Sequence, residues 1–372
     1  MPPFPAVDPI PLPAPVWLFK VLHILTLALH FITVEMLLGG LAIALVLNLT
    51  GRGGDERSAI RLNASASLAR RLPALMTYVI NLGVPPLLFA QVLYGRALYT
   101  SSVLIGMFWI SVVFLLIGCY WHIYKFTGKI ENGKRAWPMA LIALGLAVAI
   151  SRIYSTNMTL MLHPSVWQEM YSKSALGNHL PPFDPTLTPR WAFMLVGGLA
   201  AGGLWMIWLA GKKTIEPPVR SFLSATGGKL ALVALAAEIL LAMQVMNAQP
   251  ESVRAGMTND PIYHYSTLAW LGGVVVLIAI AGWCAMAKPV STLAGWGALG
   301  AGLVTMLSMT LCRDGIRDLT LKAAGYDVWN RAVAANWSVV AVFLVVFVAG
   351  LAAMGWLISV LLRAKPTLEK VV

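Results

Sequence analysis

The chain has 372 residues, of which 59% are hydrophobic and only 11% charged, a balance that excludes an ordinary soluble domain of this length. With a mean hydropathy of +0.77, it is an integral membrane protein. The net charge of +12 does not argue for nucleic acid, because the basic residues are scattered through short loops rather than gathered on one surface.

Residues 1–16 are rich in proline and carry no basic segment, so they read as an extended external lead-in and not as a cleavable signal peptide. Nine apolar stretches follow, at about 17–48, 73–95, 100–126, 136–157, 190–211, 228–248, 264–287, 291–311 and 336–363. Each is near or above the ~20 residues that cross a hydrocarbon core. The expected fold is therefore an all-α polytopic membrane protein, a single transmembrane helical bundle over 17–363 with a tail at 364–372. Odd-numbered connections hold Arg52, Arg57, Arg61, Arg70 and Arg71, then Lys125, Lys129, Lys134 and Arg135, then Lys212, Lys213, Arg220 and Lys229, then Lys288. With Arg363, Lys365 and Lys370, that side collects 17 of the 27 Lys and Arg residues. The positive-inside rule then predicts an external amino terminus and a cytoplasmic tail.

In the first stretch His23 and His30 are seven residues apart, close to two helical turns, and so share one face of a helix that also carries Glu35. An ionisable group at membrane depth is costly unless it is paired, faces water or protein, or binds something. A neutral imidazole suits haem iron, and a bundle core is a common place for a porphyrin; hydrogen bonding to neighbouring helices is the structural alternative.

Further along, His122 beside Trp121 and Tyr124 reads as part of an interface belt. Arg152, near the outer end of the fourth stretch, is a partner for a haem propionate or an arginine snorkelling to water. The longest external connection, about 158–189, holds His163, Trp167, Tyr171 and His179, and its segment 164–172 is expected as a short helix in the membrane interface. The run Gly197–Gly203 and the segment Gly295–Gly302 permit close helix packing. Glu238 is a lone acid that carries protons, pairs with Lys229 or hydrogen-bonds. His264, between Tyr263 and Tyr265, is an outer ligand or an interface residue. Segment 312–335 is expected as an outer connection, with Arg313 and Arg317 either facing propionates or pairing with Asp314 and Asp318. Cys119, Cys284 and Cys312 form no haem-attachment or iron-sulfur motif, and no P-loop, Rossmann or zinc-protease pattern occurs.

The run Leu29-His30-Phe31-Ile32-Thr33-Val34-Glu35-Met36-Leu37-Leu38-Gly39-Gly40 resembles the first helix of the large, haem-bearing subunit of cytochrome bd-type quinol oxidases, above all their divergent bd-like relatives. The segment Ser155-Thr156-Asn157-Met158 through His163-Pro164 is similar to that family's exit from the fourth helix. The resemblance implies nine spans, a bacterial inner (cytoplasmic) membrane, and His30 on the iron of haem b. Departures are equally specific. Only Asn247 to Tyr263 stands where the family has its long quinol loop. The second haem-ligating histidine of the fifth helix is missing, with Met194 near its place. The segment Gly106–Tyr124 has no carboxylate, and the family's Gly-Arg-Gln-Pro-Trp signature is absent.

Together these readings give a candidate cofactor site of His30, His23, Arg152, Met194, His264 and Arg313, with His30 and His23 on haem iron. The expected function is electron transfer between membrane quinone and a periplasmic partner, a c-type cytochrome or another respiratory subunit, with membrane lipid as surroundings. The alternatives are a bd-like terminal oxidase reducing oxygen, and a haem-free transporter or scaffold subunit of a respiratory complex.

Overall fold

The structure, a computed structural model, describes residues 11–286 and 292–363. The first ten residues of the lead-in, Lys288, the side chain of Arg363 and the tail 364–372 with Lys365 and Lys370 lie outside the described residues. The predicted apolar stretches become long helices: α1 (Val16–Thr50), α3 (Leu72–Leu104), α4 (Gly106–Glu131), α5 (Trp137–Leu160), α7 (Leu187–Ala210), α8 (Pro217–Asn247), α10 (Pro261–Met286), α11 (Thr292–Ala323) and α12 (Trp337–Arg363). Shorter helices α2 (Glu56–Ala69), α6 (Trp167–Lys173) and α9 (Glu251–Asn259) occupy three of the connections. Among the described residues, eight helical segments are long and apolar enough to cross a membrane, with α2 and α3 counted as one. The chain is thus an all-α polytopic membrane protein. Helix α11, equally long, packs beside α10 and carries a charged final third.

Helix α1 is central, lying against α2, α3, α5, α7 and α11. Its approach to α7 depends on glycine: a Cβ on Gly39 would stand 1.7 Å from the Gly198 carbonyl oxygen. On the other face of α7, a Cβ on Gly203 would meet the Gly227 carbonyl of α8 at 2.7 Å. The Gly197–Gly203 run therefore does what a small-residue run in a bundle does, bringing two backbones together where larger side chains would hold them apart. In the second such segment Gly300 and Gly302 face open space, while Gly297 lies by Ile280 of α10.

Two expectations change. Helix α11 continues well past the predicted end at 311, so Arg313, Asp314, Arg317 and Asp318 lie within a helix and not in a connection. Asp314, Arg317 and Asp318 are all buried, and pairing with other helices is what makes the extension tolerable. The segment 164–172 does form a short 3-10 turn followed by α6, but Trp167 and Met170 are buried in a cluster with Leu12, Tyr94, Leu98, Leu160 and Leu321. The Trp167 indole donates to the Leu160 carbonyl at 2.9 Å. This helix is anchored to the bundle through Trp167 and Met170, while Tyr171 stays exposed.

Candidate functional site

The polar groups gather where the first half of α1 meets α3, α7 and the last third of α11. Helix α3 is irregular there. It contains Pro85 and Pro86, whose rings disturb the helical turn before them, and further on Tyr94 leaves helical geometry at φ −126°, ψ 20°. Lys20 of α1 reaches across to Asp314 at 2.8 Å, Asp318 at 2.5 Å and the Tyr94 hydroxyl at 2.6 Å. The Tyr94 hydroxyl lies 3.0 Å from Asp314 and 2.8 Å from Asp318, and the Trp329 indole donates to Asp318 at 3.1 Å. Arg317 lies 3.5 Å from Asp314 and 4.8 Å from the centre of the Tyr94 ring. Lys20 and Arg317 balance the two aspartates, which is how buried charges persist in an apolar surround.

His23 belongs to this network. Its Nδ1 is 3.1 Å from the Pro86 carbonyl and its Nε2 is 2.8 Å from an Arg317 guanidinium nitrogen, so both ring nitrogens are engaged. His30 is different. Its Nδ1 is buried with no hydrogen-bond partner, and the ring lies by the Val79 backbone and against Gly83 of α3, where a Cβ would stand 2.9 Å from Cε1. Only glycine leaves the imidazole its place. The next residue, Phe31, has its ring 6.1 Å from His30 and 5.1 Å from the guanidinium carbon of Arg313. Arg313 also donates to Met194 Sδ at 3.6 Å, and its Nε is buried without a partner. Arg190 and Arg317 lie within Coulombic reach of Arg313, so three guanidinium groups gather at this end of α7 and α11, Arg317 being offset by Asp314.

The structure thus brings together Met194 and Arg313, two of the sequence candidates, and joins His23 to Arg317. It does not bring in the other two. Arg152 stacks on Trp191 at 5.1 Å and lines a separate cavity with Phe108, Leu187 and Asp184. His264 is in the first turn of α10, its ring 5.6 Å from Tyr265. His122 contacts Trp121 and the Gly118 carbonyl of its own helix. Sequence reasoning overlooked Lys20, Tyr94 and Arg190; the lysine three residues before His23 in a largely apolar helix is the available signal.

On the adjoining loop, His163 Nε2 is 2.7 Å from Asp184, and Asp184 also accepts from Thr186. Burial pushes the Asp184 carboxyl up, but the hydrogen bonds from His163 and Thr186 outweigh it and hold the group well below the usual carboxylate range.

Deeper in the bundle, Glu35 of α1 and Glu238 of α8 converge on Gly197 of α7 beside a cavity of about 100 Å³. Glu238 does not pair with Lys229; it lies within Coulombic reach of Glu35. Among the described residues, no group of three or more His, Cys, Asp or Glu is placed to hold a metal ion.

For haem, the donor set divides. His30 and Arg313 each keep a buried, unpartnered nitrogen of the kind an iron and a propionate use. His23 does not fit as an iron ligand while Pro86 and Arg317 hold both its nitrogens. Neither of the two cavities described above is lined by His23 or His30. No protein-family model matches the chain, and no curated protein matches it.

Proposed function

We propose that this chain is a b-type haem protein of the cytochrome bd-like superfamily that transfers electrons between the quinone pool and a periplasmic partner, a c-type cytochrome or another respiratory subunit, in a bacterial inner membrane. The observation that carries the reading is the pair of buried, unpartnered nitrogens, His30 Nδ1 and Arg313 Nε, both beside Phe31. A buried polar atom without a partner costs about 1–3 kcal/mol, and a ligand that supplies the missing partner removes that cost. In this reading His30 holds the iron, and Arg313, supported by Arg190, holds propionate. The haem, when bound, supplies reversible one-electron chemistry. The protein's own residues set its surroundings: Gly83 makes room for the imidazole, Phe31 and Met194 exclude water, and the arginines favour negative charge. His23 serves as a positioning residue, tying α1 to α3 and α11.

The nine-span topology with an external amino terminus belongs to the same proposal, and the distribution of Lys and Arg supports it. A second reading, the haem-free transporter, draws on the Glu35 and Glu238 cavity. A reduced-minus-oxidised optical spectrum with pyridine haemochrome quantification separates the two. Purified protein with a b-type signal that disappears in His30→Ala supports the haem reading; protein without haem, made with ample haem supply, favours the transporter. The bd-like oxidase remains the alternative within the haem class, and oxygen consumption distinguishes it.

A further inference from the structure

Glu35 and Glu238 come from helices far apart in sequence and meet across a glycine. A Cβ on Gly197 would stand 3.0 Å from a Glu35 carboxylate oxygen and 2.8 Å from one of Glu238. Both oxygens thus lie around one point, within about 6 Å of each other, in the space that any larger residue would fill. Glu35 is 5% exposed and Glu238 8%, and among the described residues neither carboxylate has an ion pair or a hydrogen-bond partner. Both line the adjoining cavity of about 100 Å³, room for several waters. The rest of the lining comes from every helix packed around it: Phe193 from α7, Leu235 from α8, Trp270 from α10 and Thr305 from α11. None of these helices contributes another titratable or charged side chain to the lining, and His30, on the same helix as Glu35, faces Gly83 of α3 instead.

Two carboxylates this close in an apolar surround, with no cation to offset them, cannot both be ionised without a large penalty. A metal ion is a poor answer, since hard cations want about six or more oxygens. Thr305 is the other oxygen-bearing side chain in the lining, and its hydroxyl already donates to the Ala301 carbonyl. The cavity instead offers what a proton needs: two acceptors and space for water.

We infer that Glu35 and Glu238 form an intramembrane proton-binding site, sharing one exchangeable proton that reaches them through water in the cavity at Gly197. The site holds and releases that proton as a unit, so its titration belongs to the pair and not to either residue. It does not depend on haem and is open to test in protein with or without it.

The test is infrared spectroscopy of the full chain in detergent or lipid, following the protonated-carboxyl band with pH and on exchange into D₂O. The wild type is expected to show a protonated carboxyl at neutral pH that shifts in D₂O. The double variant Glu35→Gln with Glu238→Gln, which keeps the shape of the protonated pair, is expected to lose that band while retaining its helicity and its elution as a single species. A wild type with no such band, or a band that survives in the double variant, overturns the site. Loss of the band at fixed pH on adding sodium chloride or tetraphenylphosphonium overturns it in favour of a cation site. Should the double variant not fold, the wild-type titration alone decides: a band that stays silent to pH over the range in which the protein is folded refutes proton exchange.

Discussion

Lys20 shows how a single residue decides whether a group of charges is tolerable. It is 3% exposed and is shared by Asp314, Asp318 and Tyr94, so Lys20→Met leaves two buried aspartates facing one arginine. Removing one partner of a buried ionic group typically costs about 3–5 kcal/mol. The expected outcome is a marked fall in thermal unfolding midpoint in detergent, with most of it restored when Asp318→Asn is added, which leaves Asp314 to balance Arg317. A single Lys20→Met variant as stable as wild type would mean the network contributes little. Asp184 offers a pH-dependent counterpart outside the membrane. Its carboxyl is held below the usual range, so its contribution is fully present above the unfolded value of about 3.9 and fades as pH falls through the lowered folded value. The pair with His163 is partly exposed, which limits it to about 1 kcal/mol or less. Hydrogen-exchange protection of residues 174–186, taken relative to the intrinsic rate at each pH, is expected to fall in acid, and Asp184→Asn to show that lower protection already at neutral pH.

At the scale of elements, the spans were legible because length and apolarity are local properties, whereas the ends were not. Helix α11 ran past its predicted end since Arg313, Asp314, Arg317 and Asp318 read as a loop until Lys20 and Tyr94 supply their partners. The same holds for α6: its interfacial composition was plain, yet burial of Trp167 depends on Leu12, Tyr94 and Leu321, which lie far off along the chain. The glycines of α7 were readable as packing residues, but not which helix each would meet. Gly39→Ala is expected to push α1 off the Gly198 backbone, costing about 1–3 kcal/mol as overpacking does. Gly300→Ala, at a position facing open space, is expected to leave the thermal midpoint nearly unchanged. Equal effects of the two would refute the close α1 and α7 contact.

Over the whole molecule, the pattern is a bundle built around α1, which supplies Lys20 and His23 to one polar cluster, His30 to a niche on α3, and Glu35 to another pair. His23 and His30 were visible in the sequence because their spacing is local. The partners that separate their roles were not, since Pro86, Gly83 and Arg317 reach them only through folding. Met194 and Arg313 were named on separate grounds and prove to be neighbours, whereas Arg152 and His264 sit elsewhere. The distribution of basic residues predicts that a reporter fused after the last helix is active in the cytoplasm, and periplasmic activity there would invert the topology and the proposed partner with it.

The haem reading stands or falls on the optical spectrum of purified protein, wild type against His30→Ala. The account predicts a b-type reduced-minus-oxidised signal in the wild type and loss of most bound haem in a variant that still inserts and folds. Normal haem content in His30→Ala, or no haem in the wild type, would contradict it.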